Sequence, residues 1–145
     1  MPHLVLLYTP QIEEALDWGE LCHQLADTMR AQRDEQAKAV FPTGGIRVLA
    51  LPVRHFAVAD GGAAGVAANR HGAHSGDYAF VYAQLRMGRG RSTAVHHQVG
   101  QALRAVLETF FAPLQQTRPV GVTLQIDEGQ EVYDAKLSNL HPLFH

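Results

Sequence analysis

The order of segments constrains this chain more than any other feature. A short apolar run of strand length, an amphipathic helix and a second apolar run follow one another, and the same triplet is then written again. The first run follows Met1-Pro2-His3 and continues through Tyr8. Thr9 is then placed to cap a helix with Pro10 in its first position, where a missing N–H costs nothing. Ile12, Ala15, Leu16, Leu21, Cys22, Leu25 and Met29 recur at helical spacing, opposite Glu13, Glu14, Asp17, Glu20 and Asp27. The helix ends within residues 30–38, and Pro42 with Gly44 and Gly45 marks a turn.

Residues 46–53 are apolar apart from Arg47, which predicts a strand covered on both faces, with Pro52 near its end or at a sheet edge. Residues 60–76, rich in Gly, Ala and His and without a clean period, read as a long loop. Residues 77–86 give another strand in which both alternating sets are apolar. A turn over residues 87–90 leads to Ser92 or Thr93 as the cap of the clearest helix, whose stripe runs from Val95 to Leu114. Pro119 precedes a fourth strand over residues 120–126, and a mixed tail ends in Leu140-His141-Pro142-Leu143-Phe144.

A strand, crossover helix and parallel strand form a right-handed unit with its helix on one face of the sheet. Two such units predict an α+β fold: a duplicated β-α-β unit, a four-stranded mixed sheet and both helices on one face. At 145 residues the chain is expected to be one domain, with halves over about 1–60 and 77–130 joined by the 60–76 loop. The opposite sheet face has no helix of its own, so an oligomer that covers it is expected.

Charge narrows the function classes. A net charge of -2 with nine neutral histidines gives no basic footprint for nucleic acid and no polybasic membrane patch. The one cysteine, Cys22, fits a reducing, cytoplasmic setting. No apolar run approaches the roughly 20 residues that span a bilayer, and the first strand lacks the basic flank of a signal peptide. His71, His74 and the helical neighbours His96 and His97 lack acidic or cysteine partners at ligand spacing, so no metal is expected.

Three features carry chemistry. Removal of Met1 would make Pro2 a chain-terminal secondary amine fixed on a strand, a base and a nucleophile in one group. Its ordinary relatives titrate at about 7.7 to 8.0, and an apolar site or nearby cations disfavour the charged form. In FPTGGIR (residues 41–47) a glycine turn delivers Arg47 to a strand, and in GRGRS (residues 88–92) another delivers Arg91 to a helix. Guanidinium forks bind carboxylates in pairs of hydrogen bonds. Phe41, Tyr78 and Phe144 are candidate pocket walls, although aromatics in such positions are more often core.

The N-terminal Pro-His, FPTGGIR, DYAFVYAQLRMGRGRS (residues 77–92) and NLHPLF (residues 139–144), taken in order, resemble the 5-carboxymethyl-2-hydroxymuconate isomerase family of the tautomerase superfamily. The resemblance implies a tautomerase-like fold, a homotrimer and a cofactor-free ketonisation of a dienol carboxylate. It matches Pro2 to the catalytic base and Arg47 and Arg91 to the active-site arginines. Residues 55–76 depart from it, being longer and richer in Gly and Ala, with Arg54 and Arg70 near the margins. Two other readings stay open at this stage: a non-catalytic trimeric binding or signalling protein of the same fold, and a ferredoxin-like ligand-sensing domain.

Overall fold

A computed structural model describes residues 2–144; Met1, His145 and the side chain of His141 lie outside the described part. The architecture is α+β. In chain order the elements are β1 (His3–Tyr8), α1 (Trp18–Ala31), β2 (Arg47–Pro52), the short α2 (Ala63–Ala68), β3 (Ala79–Met87), α3 (Thr93–Gln115) and β4 (Val120–Glu128). Short 3-10 turns lie at Pro10–Ile12, Thr43–Gly45, Gly72–His74 and His141–Phe144. The strands run in the order β2-β1-β3-β4, with β1 parallel to β2, β3 parallel to β4, and the two pairs joined by the antiparallel β1/β3 contact. This is the expected four-stranded mixed sheet. No helix of the described residues is long and apolar enough to cross a membrane.

Strand alternation divides the sheet into two faces. Leu4, Leu6 and Tyr8 of β1 and Val81, Ala83 and Leu85 of β3 are buried beneath α1 and α3, whose Leu21, Leu25, Met29, Val99, Leu103, Leu107 and Phe111 complete one core. Burial of each such side chain contributes on the order of 1.5–3 kcal/mol. The opposite face is left uncovered. There the register aligns Arg47, His3, Arg86 and Asp127 in one row and Leu51, Leu7, Tyr82 and Thr123 in another. Leu7, Leu49 and Leu51 are 37–49% exposed, so β2 and β3 are covered on one face of the chain only, not on both as their composition predicted.

The first helix starts later than Thr9 and Pro10 imply. Thr9 makes no side-chain cap; its Oγ1 accepts a hydrogen bond from the Phe80 N–H at 3.0 Å, extending the sheet by one linkage. Asp17 caps α1 instead, accepting from the Glu20 N–H at 2.9 Å. The intervening turn brings Trp18 back onto Tyr8, with ring centroids 3.6 Å apart and planes 10° from parallel. Ser92 caps α3 as expected, its Oγ accepting from the Val95 N–H. Pro52 ends the edge strand β2, where its missing donor faces no partner.

The stretch read as loop over residues 60–76 contains α2 and a 3-10 turn. No apolar period announced α2 because it buries no side chain. Its order comes from backbone approach and one carboxylate. A Cβ at Gly65 would lie 1.9 Å from the Ser75 carbonyl oxygen and one at Gly62 would lie 2.1 Å from that of Gly76, and Gly62 also has φ +91°. Asp60 accepts from the Gly62 and Ala64 N–H groups at 2.9 and 3.0 Å and from the Tyr78 hydroxyl at 3.1 Å. The Ala64 and Gly62 amides chiefly hold its carboxyl below the ordinary carboxylate range. The Tyr78 hydroxyl also accepts from the Gly65 N–H at 2.7 Å. Tyr78→Phe should therefore leave the sheet intact while amide exchange at Gly65 and its neighbours rises by about fivefold, the effect of losing roughly 1 kcal/mol of hydrogen bonding. Unchanged exchange there would contradict this anchoring.

Candidate functional site

Five of the six residues singled out by sequence converge on one end of the sheet. Pro2 is buried immediately before β1, and its carbonyl accepts the Arg47 N–H at 3.2 Å, which fixes the start of β2 beside it. Because β1 and β3 are antiparallel, with His3 opposite Arg86, Pro2 lies at the end of β3 from which the turn to Arg91 leaves. The 3-10 turn Thr43–Gly45 lies at the same end, and the Phe144 ring is seated on Gly44 so closely that a Cβ there would come within 2.6 Å of it. Phe41, just before that turn, is 2% exposed and belongs to the core. It packs within the interior and is not a free wall.

Tyr78 is the residue that does not join them. It precedes β3 and so sits at the far end, where β1 finishes, tied into the α2 segment. The 55–76 connection with Arg54 and Arg70 runs between the C-terminal end of β2 and the N-terminal end of β3, also away from Pro2 within the chain.

The two arginines are held differently. Arg91 donates from Nη2 to the Val40 carbonyl at 2.7 Å and from Nη1 to the carbonyls of Gly88 and Arg89 at 3.3 and 3.2 Å. Three carbonyls thus fix the guanidinium, while Nε and a second Nη2 hydrogen stay free of partners among the described residues. Beside it a cavity of about 270 Å³ opens between Lys38, Val40 and Ser92. The Ser92 hydroxyl donates to Glu35, and that bond chiefly holds the Glu35 carboxyl below its ordinary range. Among the described residues the Arg47 side chain donates only from Nη1, to the carbonyl of its neighbour Ile46 at 2.7 Å, which leaves most of its guanidinium donors free there.

Pro2, the start of β2 at Arg47 and the turn that leads to Arg91 thus share one end of the sheet, and guanidinium groups bind carboxylates through paired hydrogen bonds. The family model for 5-carboxymethyl-2-hydroxymuconate isomerase matches residues 2–144. The chain belongs to that family. It is 30% identical over 144 residues to a 5-carboxymethyl-2-hydroxymuconate Delta-isomerase of Escherichia coli, covering 99% of both chains. A crystal structure of a 5-carboxymethyl-2-hydroxymuconate delta-isomerase superposes with a TM-score of 0.93 at 53% identity, over 100% of this chain and 93% of that one. A 5-carboxymethyl-2-hydroxymuconate isomerase from Deinococcus radiodurans R1 gives 0.78 at 32% identity, over 99% and 94%. The sequence matches and the two superpositions each extend over nearly all of the chain, so membership rests on the whole chain and not on one motif.

Sequence spacing gives no reason to single out Arg86 or His3. Only strand register sets them in one row with Arg47, at the end of the sheet next to Pro2. The buried Arg118, which is 6% exposed, is likewise silent in the sequence. It donates to the Gln11 carbonyl at 2.9 Å and pairs with Asp77, bracing the far end of the sheet. Among the histidines, His96 faces Glu128 at 3.2 Å, and no group of three or more His, Cys, Asp or Glu side chains gathers among the described residues.

Proposed function

We propose that the protein is a cytoplasmic, cofactor-free isomerase that converts an enol to a ketone on an unsaturated 2-hydroxy di- or tricarboxylate such as 5-carboxymethyl-2-hydroxymuconate. Pro2 is the general base once Met1 is removed, and Arg47 and Arg91 bind and polarise the substrate. The observation that carries this reading is the burial of Pro2 at the sheet end where β2 begins with Arg47 and where the turn to Arg91 departs. Membership of a family described as an isomerase supports it.

The chemistry needs one proton carrier. The secondary amine takes the hydroxyl proton of the enol, the C–O bond becomes a carbonyl, the conjugated double bonds shift, and the same proton is delivered to the distant carbon. No atom is gained or lost. Negative charge on the enolate oxygen during the transfer is met by guanidinium N–H groups, which also fix the carboxylates in a bidentate manner. Steady-state ketonisation of 2-hydroxymuconate and of 5-carboxymethyl-2-hydroxymuconate by protein that begins at Pro2 tests the assignment. Turnover of either supports it, and turnover of neither leaves the non-catalytic binding protein of the same fold.

The working unit is a homotrimer. Leu7, Leu49 and Leu51, exposed on the sheet face that lacks helices, are the surface that association would bury. A carboxylate placed there would have to be desolvated. Leu51→Asp should therefore shift sedimentation from a trimer to a monomer with helix content retained. A trimer that survives the change would remove this face from the assembly.

A further inference from the structure

The Pro2 end of the sheet holds a cavity separate from the one beside Arg91. Its volume is about 310 Å³, and it lies between His3, Arg86 and Gly88 on the sheet side and Glu131, Asp134 and Lys136 on the segment after β4. That segment is tied down at its start, where the Gly129 N–H donates to the Met87 carbonyl at 2.9 Å. Gly129 is buried, and a Cβ on it would lie 2.2 Å from Glu131 Oε1 and 3.1 Å from Arg86 Nε, so the missing side chain lets Arg86 lie along the floor.

The cations of this cavity are not equivalent. Lys136 is occupied, its Nζ 3.1 Å from Asp134 Oδ2. Arg86 has no carboxylate within 4.0 Å and no side-chain hydrogen bond among the described residues. Its neighbour in the sheet row, Asp127, is satisfied by Gln84 at 2.6 Å and Gln125 at 3.0 Å. Glu131 and Asp134 line the same cavity and Asp127 acts on Arg86 through space, but none of them pairs with the guanidinium, whose donors, one strand away from His3 and two from Arg47, stay free to receive an anion. Two strand spacings, about 10 Å, separate the Arg47 and Arg86 backbones, a span that two arginine side chains can close on a backbone carboxylate and a side-arm carboxylate of one substrate.

We propose that Arg86 is the specificity-determining cation of this site: it takes the carboxylate of a side arm on the substrate and so selects a tricarboxylate over the corresponding dicarboxylate. The proposal rests on the isomerase reading for its substrate class. Arg47 and Arg91 serve the conjugated backbone, and Arg86 reads the additional arm.

The experiment compares wild type with Arg86→Gln and Arg86→Lys. Arg86 is exposed in the single chain, so these changes leave its fold in place, and because it lies on the sheet face proposed for association, sedimentation confirming that each variant stays trimeric accompanies the kinetics. Against 5-carboxymethyl-2-hydroxymuconate, Arg86→Gln should raise KM about tenfold or more with kcat within about twofold, while 2-hydroxymuconate kinetics change less than about threefold; Arg86→Lys should recover part of the loss. Equal losses on both substrates, or none on either, would overturn the proposal. Calorimetric titration with tricarballylate and with glutarate separates it from the assignment of activity. Selective weakening of tricarballylate in Arg86→Gln sustains the receptor even if neither muconate turns over, and equal weakening of both acids rejects it even in an active enzyme.

Discussion

Pro2→Ala should lower kcat/KM for ketonisation by about 100-fold or more while leaving the protein folded and assembled. General bases contribute roughly 100- to 10,000-fold, and alanine keeps a chain-terminal amine but changes the geometry and basicity of the nitrogen. The pyrrolidine ring holds φ near −65°, so its lone pair has one direction relative to β1. A primary amine rotates about its N–Cα bond and divides its population among several. Pro2 precedes β1 and contributes its carbonyl, not a donor, to the link with Arg47, and alanine preserves that carbonyl. The loss should therefore fall on kcat and not on the melting temperature. Stopped-flow ketonisation beside thermal unfolding distinguishes the two, and a variant with full activity would remove Pro2 from the chemistry.

Arg47→Gln and Arg91→Gln should each cost about 10- to 100-fold in kcat/KM, the range expected when hydrogen bonds to a charged group worth about 1.5–3 kcal/mol are lost. Stability should separate them. The Arg91 guanidinium satisfies the carbonyl of Val40, a residue only 2% exposed, and two more carbonyls in the turn before α3. Glutamine cannot reach all three, and a buried carbonyl left without a donor costs about 1–3 kcal/mol. For a chain of this size that lowers Tm by several degrees. The Arg47 side chain bonds only to its neighbour Ile46 among the described residues, so its replacement should change Tm by less than about 2 °C. Equal destabilisation by both, or activity unaffected by either, would contradict the division between an anchored guanidinium and an adaptable one.

The repeat of strand, helix and strand was legible because each element writes its own period. Leu4, Leu6 and Tyr8 alternate, while Leu103, Leu107 and Phe111 recur every four residues. A mixed sheet was legible, but that β1 and β3 are the strands that join the halves was not, since it depends on which strand edges meet. That join decides the site, because it brings the end of β3 back to Pro2 and carries Tyr78 away. Arg47 and Arg91 announced themselves through the glycines before them, whereas Arg86 lies in the alternation of β3 and becomes visible only when His3 is found opposite it. The start of α1 was misplaced because Thr9 has two uses for one oxygen, and pairing with the Phe80 N–H in the sheet won over capping. The short α2 was hidden for a different reason: a helix that buries nothing leaves no apolar stripe, and the glycines that permit its contact with residues 75–76 look like flexibility in a sequence.

The measurement that bears most directly on the account is the ketonisation rate of one preparation before and after aminopeptidase removal of Met1, with intact mass reporting the fraction of chains that begin at Pro2. An amide nitrogen has no basic lone pair, whereas a free pyrrolidine nitrogen at the same place does. The rate should rise in proportion to the Pro2-initiated fraction and extrapolate to background at zero. Equal turnover by chains that retain Met1 would mean that some group other than Pro2 moves the proton.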